Sequence, residues 1–205
     1  MSDQKRSGPL AHVRVLDLSR IMAGPWASQI LADLGADVVK IERPGVGDDT
    51  RGWGPPFLKD EEGHPTKDSG YFLCVNRGKR SVTLDISRPE GQAVVRRLAQ
   101  ESDILLENFK AGTLERYGLS YDALKRENPA LIYASVTGFG QDGPRKKQAA
   151  YDFMIQAMGG LMSITGEADD KPGGGPQKVG LPIVDLMTGM YTAVAVLAAL
   201  ARAQV

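Results

Sequence analysis

The 205-residue sequence holds one cysteine, Cys74, and two histidines, His12 and His64. One thiol cannot close an internal disulfide, and with two histidines far apart in the chain it cannot build a structural zinc cluster, so no disulfide scaffold and no metal site is expected. An excess of either charge is also missing, since 25 Lys and Arg balance 25 Asp and Glu. No broad basic field exists to hold a nucleic-acid backbone or an anionic membrane surface, which leaves room only for a local basic pocket. The opening MSDQKRSGPL lacks the apolar stretch of a signal peptide, so a cytoplasmic location is expected. No G-x-S-x-G elbow, G-x-x-x-x-G-K-[ST] loop or H-E-x-x-H pair occurs, and no internal repeat or low-complexity tract. Glycine is abundant instead: 24 residues, against a usual share of ~7%, imply many tight turns or close backbone approaches.

The apolar pattern predicts an α/β chain. Val13 to Leu18 (VRVLDL) reads as a strand, PWASQILADL as a helix with Pro25 at its first helical position and Gly35 as C-cap, and DVVKIE as a second strand. Such β-α-β spacing implies parallel pairing with a right-handed crossover. The rhythm continues with a strand over Arg80 to Ile86, a capping box of Ser87 and Glu90 opening a helix to about Glu101, and the strand DILLEN. Short helices are expected at Thr113 to Arg116 and Tyr121 to Arg126, separated by Gly118, then a buried strand over Leu131 to Gly138. The fold class implied is a Rossmann-like parallel sheet flanked by helices. Pro44 to Gly70 and Gly138 to Gln148 break the rhythm as functional loops or surface insertions. A helix near Asp152 to Met158 follows. The last segment, Leu181 to Ala203, is apolar on nearly every face; Asp185, Pro182 and the missing basic flank favour a buried helix over a membrane span.

The first β-α-β unit invites a dinucleotide reading, but SRIMAGPWA carries no G-x-G-x-x-G, so close approach of backbone to a pyrophosphate is not specified. Arg43, just after Glu42 at a strand's carboxyl end, suits a phosphate monoester better than a ribose diol; the plainer alternative is a surface arginine. Cys74 between Leu73 and Val75 reads as a core thiol. Asp185 lies in apolar GLPIVDLMTGMY, where burial would raise its pKa unless donors meet it, and it is either a reactive carboxylate or a helix-start acid satisfied by backbone N–H groups. Asp152 in AAYDF reads first as a helix cap.

Taken together, LDLSRIMAGPWASQILADLGADVVKIERPGVGDDTR, NRGKRSVTLD, LLENFKAGTLERYGL, ASVTGFGQDGP, AAYDFMIQAMGGLMSITGE and VGLPIVDLMTGMYTAVAVLAAL resemble the amino-terminal half of a class III coenzyme A transferase, the family of formyl-CoA and carnitine CoA-transferases. The resemblance runs from about Leu10 to the last residue. It implies that residues 1–205 are the amino-terminal part of a large Rossmann-like domain, without the family's small domain, catalytic glycine-rich loop and returning carboxyl-terminal segment. It also implies an interlocked homodimer whose substrates are an acyl-CoA and a small carboxylic acid. Asp185 matches the family's catalytic aspartate, which forms an aspartyl anhydride and then an aspartyl-CoA thioester. For coenzyme A the family pattern places Met22 and Ala23 at the thioester entrance, Arg43 at the 3′-phosphate, Leu84 on the nucleotide wall, Asn108 and Phe109 around the adenine, Arg116 at the phosphates, and Tyr151 with Asp152 near the reacting centre. Each of these also has an ordinary structural role available, such as core for Phe109 and a solvated helix charge for Arg116. The pattern departs from formyl-CoA transferase at Met22, where that enzyme has Gln, and at Ser87 and Ala149, where it has basic residues. The stretch from Pro44 to Phe57 is similar to members that handle succinyl-CoA and short dicarboxylates. The α-methylacyl-CoA racemases share the fold and the aspartate, but their proton-transferring His matches Tyr151, a poor base at pH 7. A CoA-binding module without turnover is the expectation of a different class.

Overall fold

In the computed structural model, which describes residues 7–203, five parallel strands form one sheet in the order β5-β2-β1-β6-β7. These are β1 (Arg14–Asp17), β2 (Asp37–Glu42), β5 (Arg80–Thr83), β6 (Ile104–Glu107) and β7 (Ile132–Ser135). Counted along the chain, that is the third, second, first, fourth and fifth sheet strand, the order of the first five strands of a dinucleotide-binding sheet. The chain reverses its direction of travel across the sheet between β1 and β6, and a crevice opens there beyond the strands' carboxyl ends.

Alternating side chains feed two separate cores. Leu16 and Leu105 point to one face, where Val95, Leu114, Leu119 and Leu124 cover them; these come from α3 (Pro89–Gln100), α4 (Thr113–Arg116), α5 (Tyr121–Glu127) and their links. Val15, Ile104 and Leu106 point to the other, against Leu31 of α1 (Ala23–Asp33) and Val196 of α7 (Ile183–Ala203). This period-two division buries the central strands on both sides, as parallel sheets require.

Several local expectations are corrected. α1 begins at Ala23, so Pro25 is the third helical residue; its missing N–H falls among those a helix start leaves unpaired anyway. The Ser87/Glu90 capping box does not form, because Asp85 takes the Ser87 N–H and hydroxyl and the helix starts at Pro89 after Arg88. The strand expected to reach Ile86 stops at Thr83 and is exposed throughout, being a sheet edge. β7 is the opposite edge and is half-buried rather than buried. The irregular stretch from Pro44 holds a 3-10 turn (Asp49–Gly52) and an antiparallel hairpin of β3 (Phe57–Lys59) and β4 (Pro65–Ser69). An unforeseen helix, α2 (Gly70–Asn76), follows, capped by the Ser69 hydroxyl. Cys74 lies on its exposed side and is not a core thiol. The helix Asp152–Met158 is found as expected and is α6.

α7 crosses α1 at close range. A Cβ on Gly189 would stand 2.5 Å from the Ala23 carbonyl oxygen and 2.9 Å from the Trp26 ring, so only glycine fits. Asp185 lies four residues earlier, one turn along the same face, which brings it over the start of α1. Burial of this helix is one-sided among the described residues. Gly189, Ala193 and Val196 are buried, whereas Met187, Met190, Tyr191 and Val194 are exposed, because the described elements supply neighbours on one side only.

Helix propensity alone would make Gly189→Ala stabilising by about 1 kcal/mol. The backbone contact reverses the sign, and a loss of roughly 1 to 3 kcal/mol in urea unfolding is expected; a gain in stability would contradict the crossing.

Candidate functional site

The loop from Ser19 to Met22, which joins β1 to α1 at the crevice, is built on buried charges. Asp17 is fully buried and accepts from the Ser19 N–H and hydroxyl, the Ser28 hydroxyl and Lys79 Nζ at 3.1 Å. Burial alone would raise its pKa, but the Lys79 and Lys40 ammonium groups, with the Ser19 and Ser28 hydroxyls, outweigh it and bring the carboxyl down to about 2. Lys40 Nζ donates to the Ser19 carbonyl at 2.8 Å and pairs with Asp48 at 2.9 Å, both side chains at most 1% exposed. Asp48 in turn accepts the Ile21 N–H at 3.1 Å. Ile21 sits at φ 72°, a left-handed conformation that a β-branched residue adopts only under constraint. Asn108 closes the loop from the other side, its amide accepting the Arg20 N–H at 3.0 Å and donating to the Arg20 carbonyl at 2.7 Å. Gly24 is required beneath, since a Cβ there would meet that of Ser19 at 2.3 Å.

Two cavities flank this loop and share Arg20 and Phe109 on their walls. The larger, about 420 Å³, is lined by Met22, Ala23, Asn108, Phe109, Tyr151, Asp152 and Asp185 among others. The smaller, about 210 Å³, takes Arg43, Leu84 and Phe109, with Ser87 and Tyr117. Nine of the ten residues singled out in the sequence are thus gathered along one crevice. Arg116 is the exception: it lines neither cavity and is exposed, because the single turn of α4 turns Leu114 inward. The Asn108 amide is committed to the Arg20 backbone, so it shapes the crevice through that loop. Asp49 bridges Arg20 at 3.0 Å and Arg43 at 2.9 Å, holding two guanidinium groups at the mouth of the smaller cavity. Glu42 beneath them is fixed by the Arg51 fork at 2.7 and 2.8 Å and by Ser81 at 2.6 Å; burial raises its pKa, but these donors and the Asp48 N–H lower it to about 2.

Asp185 stands apart from these acids. It is half-buried in the first turn of α7, and among the described residues no donor reaches its carboxyl oxygens. Desolvation, with the Asp152 charge as second cause, raises its pKa to about 6. The reading of Asp185 as an acid satisfied by helix N–H groups is therefore corrected. Asp152 accepts those N–H groups instead, Val184 at 2.7 Å and Asp185 at 3.1 Å. It caps α7 rather than its own helix. A carboxyl group with no donor and a raised pKa inside a cavity marks a candidate functional residue.

Reasoning from sequence missed Lys40, Lys79 and Asp48; a lysine inside the apolar strand VVKIE was the available signal for the first. It also missed Tyr71 on α2, whose phenol is raised by burial and by the nearby Asp185 charge; nothing in its local sequence marked it. Arg20 and Lys146 were likewise missed as lining residues.

A family profile described as CoA-transferase family III matches residues 10–205. A curated relative, the succinate–glutarate CoA-transferase of Agrobacterium fabrum, is 50% identical over 198 residues, covering 97% of this chain and 48% of that protein. The succinyl-CoA:glutarate CoA-transferase of Mus musculus is 46% identical over 199 residues, covering 97% and 43%. The crystal structure of a CAIB/BAIF family protein from Brucella suis superposes with a TM-score of 0.87 at 51% identity, covering 96% of this chain and 50% of that one. The chain thus spans about half the length of the relatives it matches.

Asp185 titrates near 3.8 when unfolded and near 6 when folded, so its ionised form costs stability in full above pH 6 and not at all below about 3.8. Asp185→Asn should therefore stabilise the fold at pH 7.5 by roughly 1 to 2 kcal/mol, after allowance for partial exposure. The gain should shrink to a few tenths of a kcal/mol, about a fifth of its full value, by pH 4. Urea unfolding at both values checks this, and an Asn variant less stable than the parent at pH 7.5 would contradict it.

Proposed function

Since this chain belongs to CoA-transferase family III, we propose that the whole protein transfers CoA from an acyl-CoA donor to a carboxylic acid, with Asp185 as the covalent acceptor of the acyl group. The observation that carries this is Asp185 itself, a carboxyl group free of donors and raised to about 6, on the wall of the larger cavity. At pH 7 it is mostly ionised yet poorly solvated, the state in which a carboxylate is most reactive.

A carboxylate oxygen of Asp185 attacks the thioester carbonyl; the C–S bond breaks, CoA leaves as thiolate, and a mixed anhydride of Asp185 and the acyl group remains. The thiolate then attacks the Asp185 acyl carbon, releasing the donor as its carboxylate and leaving an aspartyl-CoA thioester. The incoming acid repeats the two steps in reverse and departs as its CoA ester, restoring the Asp185 carboxylate. Each intermediate is prone to hydrolysis, so the bond energy survives only where water is kept out. In this reading the rest of the polypeptide supplies a glycine-rich loop over the cavity, and two copies close the site as an interlocked homodimer.

For coenzyme A, the smaller cavity with Leu84, Phe109 and Tyr117 suits an adenosine, and Arg43 with Arg20 suits the 3′-phosphate at its rim. From there the pantetheine arm runs past Arg20 to Met22 and Ala23, beneath Asp185. Relatives named for succinate and glutarate transfer make succinyl-CoA the first donor to test and a short dicarboxylate the first acceptor. Proton transfer at an α-carbon, the racemase chemistry, finds no support here, since neither His12 nor His64 lines either cavity.

In the whole protein, Asp185→Asn is expected to lower exchange of CoA between succinyl-CoA and glutarate by roughly a thousandfold or more, with CoA still bound. Undiminished exchange would remove Asp185 from the chemistry. Arg43→Ala should weaken CoA roughly tenfold by calorimetry, about 1.4 kcal/mol, and leave dephospho-CoA within about twofold. Equal losses would place the 3′-phosphate elsewhere.

A further inference from the structure

Asp152 belongs to α6, yet its side chain serves the start of α7. Oδ1 accepts the N–H of Val184 at 2.7 Å and of Asp185 at 3.1 Å, and Oδ2 accepts from the Gln156 amide. Gln156, buried at 1% exposure, accepts the Val179 N–H at 2.9 Å through its own amide oxygen, so the chain entering α7 is tied to α6 at two levels. Donors converge on Asp152, while among the described residues none reaches its neighbour Asp185.

Capping explains only part of this arrangement. Asparagine would accept the same two N–H groups without charge, but its NH2 would face the Gln156 amide donor, whose oxygen is held by the Val179 N–H. A carboxylate placed beside a second, half-buried carboxyl instead introduces like-charge repulsion. The carboxylate satisfies all three donors at once and, in addition, sets a like charge beside Asp185. Of the titratable and charged groups around Asp185, α6 presents Asp152 and α2 presents Tyr71. The cavity cations Arg20, Lys110 and Lys146 form no ion pair with it among the described residues.

We propose that Asp152 is a positioning residue for the reacting carboxylate: by docking on the first N–H groups of α7 it fixes where Asp185 stands in the cavity, and by its charge it makes the ionised Asp185 a stronger nucleophile. This rests on the reading of Asp185 as nucleophile. The raised pKa of Asp185, with Asp152 as its second cause after burial, agrees with the geometry. A more basic carboxylate is a better nucleophile, and at about 6 it is still ionised at neutral pH.

The test compares Asp152→Asn, Asp152→Ser and Asp152→Glu in the whole protein. Two readouts are taken: the pH midpoint of Asp185, followed by carboxyl carbon NMR, and the pH profiles of kcat and KM for succinyl-CoA. In the Asn and Ser variants the midpoint should fall from about 6 by roughly one unit. Their kcat at pH 7 should fall by roughly three- to tenfold, with KM within about twofold. Asp152→Glu should restore both. An unmoved midpoint in the neutral variants overturns the proposal, and so does failure of both to fold, which would leave Asp152 a stability cap alone. The midpoint does not depend on turnover, so the two readings are separable. A shifted midpoint beside full activity in Asp185→Asn would sink the nucleophile and leave the coupling standing, whereas an inactive Asp185→Asn beside an unmoved midpoint would sink only the role of Asp152.

Discussion

The crevice depends on one constraint, the burial of two lysines beneath the carboxyl ends of the sheet. Lys79 meets Asp17 and Lys40 meets Asp48, and all four side chains are almost fully withdrawn from water. Buried pairs of this kind add little net stability, because desolvation offsets most of the Coulomb gain. Their value here is positional. Lys40 and Asp48 hold the Ser19 carbonyl and the Ile21 N–H, fixing a loop that Ile21 would not adopt by itself. With that loop fixed, α1 starts at a defined point, Ala23 approaches Gly189, and α7 presents Asp185 to the cavity.

The acids of the crevice show how environment assigns roles to one functional group. Asp17 and Glu42 are both buried, which taken alone would raise them, yet ammonium, guanidinium and hydroxyl donors bring each to about 2. Asp185 has burial without donors and a second carboxylate close by, and goes to about 6. The first two are structural anions, and the third is the one proposed to react. The difference lies in what surrounds each carboxyl group.

Much of this was legible in the sequence, for reasons that can be named. The apolar run DVVKIE and the glycine at position 35 announce β2 and the end of α1, because central parallel strands and left-handed helix caps leave strong local signals. Asp185 stood out as an ionisable group in an apolar segment. The Asp152 cap on another helix, the approach of Tyr71 and the lysine pairs were not legible, since each joins residues far apart in the chain. The Ser87 capping box failed because Asp85, two residues earlier, competes for the same N–H. Which side of α7 is covered was not legible either, because composition reports how apolar a helix is and cannot say where its neighbours lie.

The most direct test of the central claim is to catch the acyl group on Asp185. The whole protein is incubated with succinyl-CoA alone, treated with hydroxylamine or borohydride, and digested for peptide mass spectrometry. The account predicts a mass change confined to the peptide bearing Asp185 and dependent on succinyl-CoA. An unmodified Asp185, with α-proton exchange into deuterated solvent, would contradict covalent transfer and point to enolisation chemistry on the same fold.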